Sequence, residues 1–230
     1  MDFSKKVNEI QKELYKRVFQ NLGYIQKGKL LNRVTEDNIV HIVNFSVGRK
    51  FVHEKNQLTI NFAIFVPEWK DMNFNAELEK GKMYSDEYCW LKTTIGQLKG
   101  FQGVHKGYGY FFYDLQTDDE QFIISDAEKV IHEKLLPMFE NLLTRDAIIK
   151  HADKYAENNM LWIDMIGKKI GKFSVGIIYG ARGNIAEANL LMNEYYKEAI
   201  VAGMNKGHLT GIINNAKRLG ITIRQPDICM

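Results

Sequence analysis

Gln57 to Val66, with the sequence QLTINFAIFV, is the stretch that decides the fold class, because its hydrophobic side chains recur at every second position. In a β-strand, successive side chains point to opposite faces of the sheet. One face of this segment carries Leu58, Ile60, Phe62, Ile64 and Val66, and the other carries Thr59, Asn61, Ala63 and Phe65. We therefore predict a strand that stops at Pro67 and buries the first of these two faces.

The same two-residue period continues on both sides of this strand. Residues 38–47 are apolar enough on both faces to form a central strand, and the polar stretch 48–56 can return the chain antiparallel. Residues 24–34 and 88–95 are weaker strand candidates. Together these segments predict an antiparallel sheet of about four strands within residues 24–98.

Helical periodicity flanks the predicted sheet. Apolar residues recur every three or four positions from Phe3 to Leu22, and Gly23 follows as a helix stop. Ser125 and Glu128 have the spacing of a capping box, which predicts that another helix begins there. Further helical stripes cover residues 147–156, 169–178, 185–201 and 208–219.

These elements predict an α+β fold. An antiparallel sheet of about four strands, with the N-terminal helix packed on it, is followed by an all-helical C-terminal segment of helical hairpins. The change of period divides the chain into an α+β domain, residues 1–143, and a helical C-terminal subdomain, residues 144–230, docked on it.

Composition narrows the classes of function. The 31 basic and 28 acidic residues give a net charge of +3 and are interleaved, whereas a nucleic-acid-binding protein usually clusters its basic residues. We therefore favour no nucleic-acid partner. Cys89 and Cys229 are too few for a disulfide framework, and the first residues lack the apolar core of a signal peptide. The longest apolar run, residues 62–66, is too short to span a bilayer. We expect a cytoplasmic protein without a membrane partner.

Metal and cofactor motifs have strict spacing rules, which this chain does not meet. Its six histidines and two cysteines contain no C-x-x-C, H-x-H or H-E-x-x-H pattern. The Gly-Lys pairs within residues 167–172 are followed by Phe173, where a phosphate loop needs Ser or Thr. We expect neither a metal nor a cofactor.

Two pairs of residues leave an enzyme open as the alternative. Cys89 and His105 are the residue types of a nucleophile and its base, although a Cys within a strand candidate is more often a small buried hydrophobe. Arg145 and His151 resemble the R-x(4 to 6)-H motif of the HEPN ribonucleases, which implies an Arg and a His acting on a scissile phosphodiester. An exposed helix turn also explains this second pair.

The order of several short segments carries a resemblance to a known family. These segments are Leu22-Gly23-Tyr24, Lys27 to Arg33, Ile39 to Phe45, Val66-Pro67, Glu87 to Leu98 and Leu136 to Phe139. In this order they resemble bacterial domain of unknown function 4304 over about residues 1–145, and the helical tail resembles extensions seen in members. Lys92 stands where the resemblance implies an Arg, and Phe111-Phe112 where it implies a Trp-rich pair. The resemblance implies no activity.

The aromatic segment, residues 100–113 with the sequence GFQGVHKGYGYFFY, combines flexible glycines with large aromatic side chains. Aromatic anchors are enriched in the hot spots of protein interfaces. The candidate partner-binding residues are Trp90, His105, Tyr108, Tyr110 and Phe112. Capping of the sheet core is the other role open to these aromatic side chains. The sequence favours a non-catalytic protein-binding or regulatory module, with toxin neutralisation as one such role and a hydrolase or ribonuclease as the alternative.

Overall fold

The computed structural model describes residues 3–47, 56–72, 77–100, 113–163 and 170–224. The chain forms two compact units. The first unit comprises Met1–Val66 with Glu79–Lys169, and the second comprises Pro67–Leu78 with Ile170–Met230. The division of the chain at residues 143 and 144 stays a prediction.

The first unit is built around an antiparallel sheet, to which the described residues contribute seven strands. The strands are β1 Ile25–Lys27, β2 Leu30–Val34, β3 Val40–Val47, β4 Gln57–Phe65, β5 Leu91–Thr94, β6 Tyr113–Asp114 and β7 Trp162–Ile163. Their spatial order is β1-β2-β3-β4-β5-β7, and β6 pairs with β4 beyond the end of β5. The long strands β3 and β4 lie at the centre, which the apolar character of both faces of residues 38–47 predicts for β3.

The predicted α+β fold class is confirmed, with two refinements to the sheet. The candidate at residues 24–34 is a hairpin rather than one strand, because the chain turns at Gly28, where φ is +58°. The strands β6 and β7 have two residues each, which is too short for a periodic signal, and β7 interrupts the segment for which the sequence predicts only helices.

The face of β4 that the alternation predicts to be buried is buried, and Thr59, Ala63 and Phe65 on the opposite face are buried as well. Leu58, Ile60, Phe62, Ile64 and Val66 are all buried, with Val66 just beyond the end of the strand, so the predicted buried face is confirmed. We call this side the helix face, since His41 on it stacks on Phe139 of a helix. We call the opposite side the second face.

Helices of the first unit complete its core. They are α1 Phe3–Leu14, α2 Ile95–Leu98, α3 Glu120–Val130, α4 Leu136–Glu140 and α5 Arg145–Glu157. A π-helical turn, Tyr15–Phe19, and a 3-10 turn, Gln20–Leu22, extend α1 to Gly23, whose φ of +80° ends the helix as predicted. A second π-helical turn, Ile131–Leu135, joins α3 to α4.

The prediction that Ser125 opens a helix is wrong. The helix α3 begins at Glu120, where the Asp119 carboxylate accepts hydrogen bonds from the backbone N–H groups of Gln121 and Phe122. Ser125 lies inside the helix and donates its hydroxyl to the carbonyl of Phe122. The upstream carboxylate caps the helix first, so the downstream pattern has no free N–H groups to cap.

Pro137 lies inside a helix because the backbone ahead of it is widened. Proline has no N–H to donate, and its ring clashes with the carbonyl four residues earlier in a regular α-helix. The π-helical turn Ile131–Leu135 comes immediately before α4, in which Pro137 occupies the first turn. The chain therefore restarts its helix at Leu136 instead of ending it.

The second unit is helical, in agreement with the predicted hairpins. Its helices are α6 Lys172–Ala181, α7 Ile185–Val201 and α8 Lys206–Arg218. The 3-10 segment Pro67–Met72 joins them through Trp69, whose indole N–H donates to the carbonyl of Ser174 at 3.1 Å. No helix in the described part of the chain has the length and apolar composition needed to cross a membrane.

Close packing of α6 on α7 depends on Gly176. A Cβ atom at this position would lie 2.9 Å from Cγ of Met192, which is fully buried. Gly211, in the interior of α8, has open space where a Cβ would be. The two glycines therefore separate the effect of helix propensity from the effect of packing.

We expect Gly176→Ala to destabilise the protein relative to Gly211→Ala. Both changes gain about 1 kcal/mol of helix propensity, and only the first one overpacks the helix interface, at a cost of about 1–3 kcal/mol. Urea unfolding of the two variants measures the difference. Equal stability of the variants would mean that Met192 moves aside without cost.

Candidate functional site

A row of polar side chains crosses the second face of the sheet. The register places Asn44 of β3 opposite Asn61 of β4, and Ser46 opposite Thr59. On the other side of β4, Thr94 of β5 lies opposite Asn61. We call these five residues the polar row. Directly opposed residues have Cβ atoms about 5 Å apart, so the row forms one continuous patch.

A carboxylate reaches the polar row from the segment that precedes β5. Asp86 begins the 3-10 turn Asp86–Tyr88, which is capped by Ser85. The side-chain amide of Asn44 donates to Oδ1 of Asp86 at 2.7 Å, and the hydroxyl of Ser85 donates to the same oxygen at 3.3 Å. The row therefore has one formal negative charge at its edge.

Asn32 anchors this segment to the sheet. The backbone N–H of Tyr84 donates to Oδ1 of Asn32 at 2.6 Å, and Nδ2 of Asn32 donates to the carbonyl of Tyr84 at 3.1 Å. The Tyr84 ring stacks on Phe65, with centroids 4.4 Å apart. These contacts fix the chain just ahead of Asp86, so the carboxylate has a defined position.

Two buried polar atoms of the row have no hydrogen-bond partner among the described residues. They are Oγ1 of Thr59 and Oδ1 of Asn61. Thr59 is only 1% exposed, and the amide nitrogen of Asn61 donates to Oγ of Ser46 at 3.2 Å. Because an unpaired buried polar group costs about 1–3 kcal/mol, such groups need an explanation.

Cys89 does not have the environment of a nucleophile. It is buried, and its Sγ lies 3.6 Å from the carbonyl oxygen of Ser85, to which the thiol donates. Burial raises the pKa of the Cys89 thiol well above its ordinary value; Asp86 adds to this rise and Lys92 opposes it. The thiol is therefore protonated at neutral pH. Its predicted partner His105 lies outside the described residues.

Arg145 and His151 do not converge on one face of α5. Six residues correspond to a rotation of about 240° around a helix axis, so the two side chains diverge. Arg145 is buried, and its guanidinium forms an ion pair with Oδ1 of Asp37 at 3.1 Å. The backbone N–H of Arg145 donates to Oδ2 of Asp37 at 2.7 Å. This arginine therefore joins the turn between β2 and β3 to the start of α5.

Of the predicted partner-binding residues, Trp90 is described and is partly buried just before β5. His105, Tyr108, Tyr110 and Phe112 lie outside the described residues. The polar row is a site that sequence reasoning missed. The sequence does contain a signal for it, because polar residues occupy alternate positions in two largely apolar strands. These residues are Asn44 and Ser46 in β3, and Thr59 and Asn61 in β4.

The two ends of the aromatic segment meet at one carboxylate, through Lys99, which directly precedes the segment, and Tyr113, its last residue. Nζ of Lys99 lies 2.7 and 2.5 Å from the two carboxylate oxygens of Asp126, which belongs to α3. The hydroxyl of Tyr113 donates to the same carboxylate at 2.8 Å. Burial and the hydrogen bond to Asp126 raise the pKa of Tyr113, so its hydroxyl stays a donor at neutral pH.

Comparison with known protein families matches most of the first unit to a domain of unknown function. The family model, DUF4304, covers residues 15–141, which is 127 of the 230 residues. The match contains the polar row, Asp86 and Asp126, and it confirms the resemblance predicted from the sequence. No curated protein and no solved structure matches the chain.

Proposed function

We propose that this chain, which belongs to the DUF4304 family, is a non-catalytic protein-binding or regulatory module that presents the aromatic segment to a protein partner. Neutralisation of a toxin is one form that this regulation would take. The observation that carries the proposal is the attachment of both ends of the segment to Asp126, through Lys99, which directly precedes it, and Tyr113, its last residue.

A segment with fixed ends suits binding for an entropic reason. Binding residues are often found on loops that a rigid scaffold positions. Ordering a loop on binding costs free energy, and a scaffold that restrains the ends before binding reduces this cost. Tyrosine adds large contact area and a polar group, which favours Tyr108 and Tyr110 as anchors.

The two candidate catalytic groups favour this role over the enzyme alternative. The Cys89 thiol is buried and protonated, whereas a nucleophilic cysteine needs an accessible thiolate. The Arg145 guanidinium is buried in its ion pair with Asp37, whereas a ribonuclease would need it at a phosphodiester.

Affinity capture with a tagged full-length chain tests the proposal. We expect the double change Tyr108→Ala and Tyr110→Ala to weaken capture of the same partner at least about tenfold, as the loss of a hot spot does. The free energy of unfolding should stay within about 1 kcal/mol of the wild type. Phe122→Ala, which removes an aromatic side chain that is half exposed on α3, is the control and should retain capture.

Asp126→Ala tests the role of the two ends of the segment. This change leaves Tyr108 and Tyr110 intact but removes the carboxylate that holds Lys99 and Tyr113. Weaker capture of the same partner would therefore show that attachment of the two ends of the segment contributes to binding. Unchanged capture by the tyrosine double variant would contradict the proposal. A loss of several kcal/mol in that variant would instead place the tyrosines in the core, where deleting an aromatic side chain costs about 3–5 kcal/mol.

A further inference from the structure

We infer that the polar row is a separate ligand site, which binds a paired N–H donor group of the kind found in the guanidinium of an arginine side chain. The inference does not depend on the aromatic segment. It rests on the hydrogen-bonding capacity that the row leaves unused on the second face of the sheet.

The row has an excess of acceptors. Asn44 must donate through Nδ2 to the Asp86 carboxylate, and this orients its amide so that Oδ1 is left to accept from another donor. Asn61 donates through Nδ2 to Ser46, and its Oδ1 is unpaired among the described residues. A ligand that supplies two donors would match these two amide oxygens, which belong to directly opposed residues.

Thr59 supplies the second, independent observation. Its side chain lies on the same face as Asn61, two residues away on β4, and its hydroxyl is buried without a partner among the described residues. Valine has nearly the same shape and would not incur the cost of an unpaired hydroxyl. A buried hydroxyl that lowers the stability of the free protein is explained if it forms a hydrogen bond to a bound ligand.

Charge favours a cationic donor. The Asp86 carboxylate contacts the row directly through Asn44, and a hydrogen bond between charged groups is stronger than one between neutral groups. Lys92 also lies on the second face, opposite Ala63 and two residues from Thr94. The positive charge of Lys92 would repel a cationic ligand, whereas the negative charge of Asp86 would attract it. The affinities of a charged and an uncharged ligand therefore decide which effect is larger.

The probes are N-acetyl-arginine amide and N-acetyl-citrulline amide, which replaces the guanidinium by an uncharged urea. We expect saturable shifts of the Asn44 and Asn61 side-chain amide signals in NMR spectra of the full chain. The arginine probe should bind at least about tenfold more tightly, since a charged hydrogen bond adds roughly 1.4 kcal/mol or more.

Thr59→Val and Thr93→Val form a matched pair of variants. Both remove a buried hydroxyl without a partner among the described residues, but Thr93 lies opposite Phe62 on the helix face. Both should keep or raise the melting temperature. Only Thr59→Val should lower the affinity for the arginine probe, by about fivefold for one lost hydrogen bond.

Three outcomes would overturn the inference. The first is the absence of saturable shifts with either probe. The second is equal affinity of the arginine probe for wild type and Thr59→Val. The third, binding of the citrulline probe as tight as that of the arginine probe, would overturn the assignment of a guanidinium.

Discussion

Replacing Arg145 by alanine should lower the free energy of unfolding by about 2–4 kcal/mol, which is somewhat less than the usual loss for a fully buried ion pair. The reduction is expected because the Asp37 side chain remains 32% exposed and water can partly solvate it. The change removes the ion pair at 3.1 Å and leaves the Asp37 carboxylate without its guanidinium. Urea denaturation of the variant measures the loss.

A double-mutant cycle tests whether the loss of the ion pair between Arg145 and Asp37 causes the loss of stability. Asp37→Ala combined with Arg145→Ala should cost much less than the sum of the two single changes, because either one already breaks the pair. His151→Ala is the control and should change stability by less than about 1 kcal/mol, since His151 is only partly buried. A stable Arg145→Ala protein that has lost a ribonuclease activity would contradict the structural role and restore the enzyme alternative.

The sheet could be predicted because its signal is local. Alternation in residues 57–66 is visible without knowledge of the partner strands, and it predicts the buried helix face of β4 correctly. The hairpin at Gly28 and the two-residue strands could not be predicted in this way. The two-residue strands pair with strands that lie far away in the sequence, and too few residues take part to leave a period.

The candidate site shows the same limit. Alternation predicts that Asn44 and Ser46 share one face of β3 and that Thr59 and Asn61 share one face of β4. The register that makes Asn44 and Asn61 opposite neighbours is a property of the folded sheet. The contact between Asn44 and Asp86 spans 42 residues, and the one between Arg145 and Asp37 spans 108. A sequence pattern carries no signal for such distant pairs, so the sequence suggests a role for Arg145 only through its nearby His151.

His41 should make the protein less stable as the pH falls from 6.5 to 4. Its ring is fully buried on the helix face and stacks on Phe139, with centroids 4.3 Å apart. Nε2 lies 3.3 Å from the carbonyl of Leu142, and since a carbonyl only accepts, Nε2 carries the proton. Nδ1 has no partner among the described residues, so a second proton there would be buried without compensation.

The direction follows from the pKa of His41 in the two states. Burial lowers this pKa from the ordinary 6.5 to about 4; the hydrogen bond to Leu142 opposes the shift, and Arg33 adds to it. Between these two pH values the unfolded chain binds a proton that the folded chain does not. The contribution of His41 to stability is therefore complete above pH 6.5 and falls by about 3 kcal/mol on reaching pH 4, at about 1.36 kcal/mol per pH unit.

Comparison of pH slopes isolates His41 from the carboxylates that titrate in the same range. Urea unfolding between about pH 7.5 and pH 4 should give a steeper loss of stability for the wild type than for His41→Gln, whatever the stability of the variant at the upper end of this range. The same change at the exposed His132 should keep the wild-type slope. Parallel curves for the wild type and His41→Gln would show that the folded protein takes up the proton at His41 as readily as the unfolded chain does. That result would contradict the enclosure of the ring between the sheet and Phe139, because a buried imidazole without a second hydrogen-bond partner resists protonation.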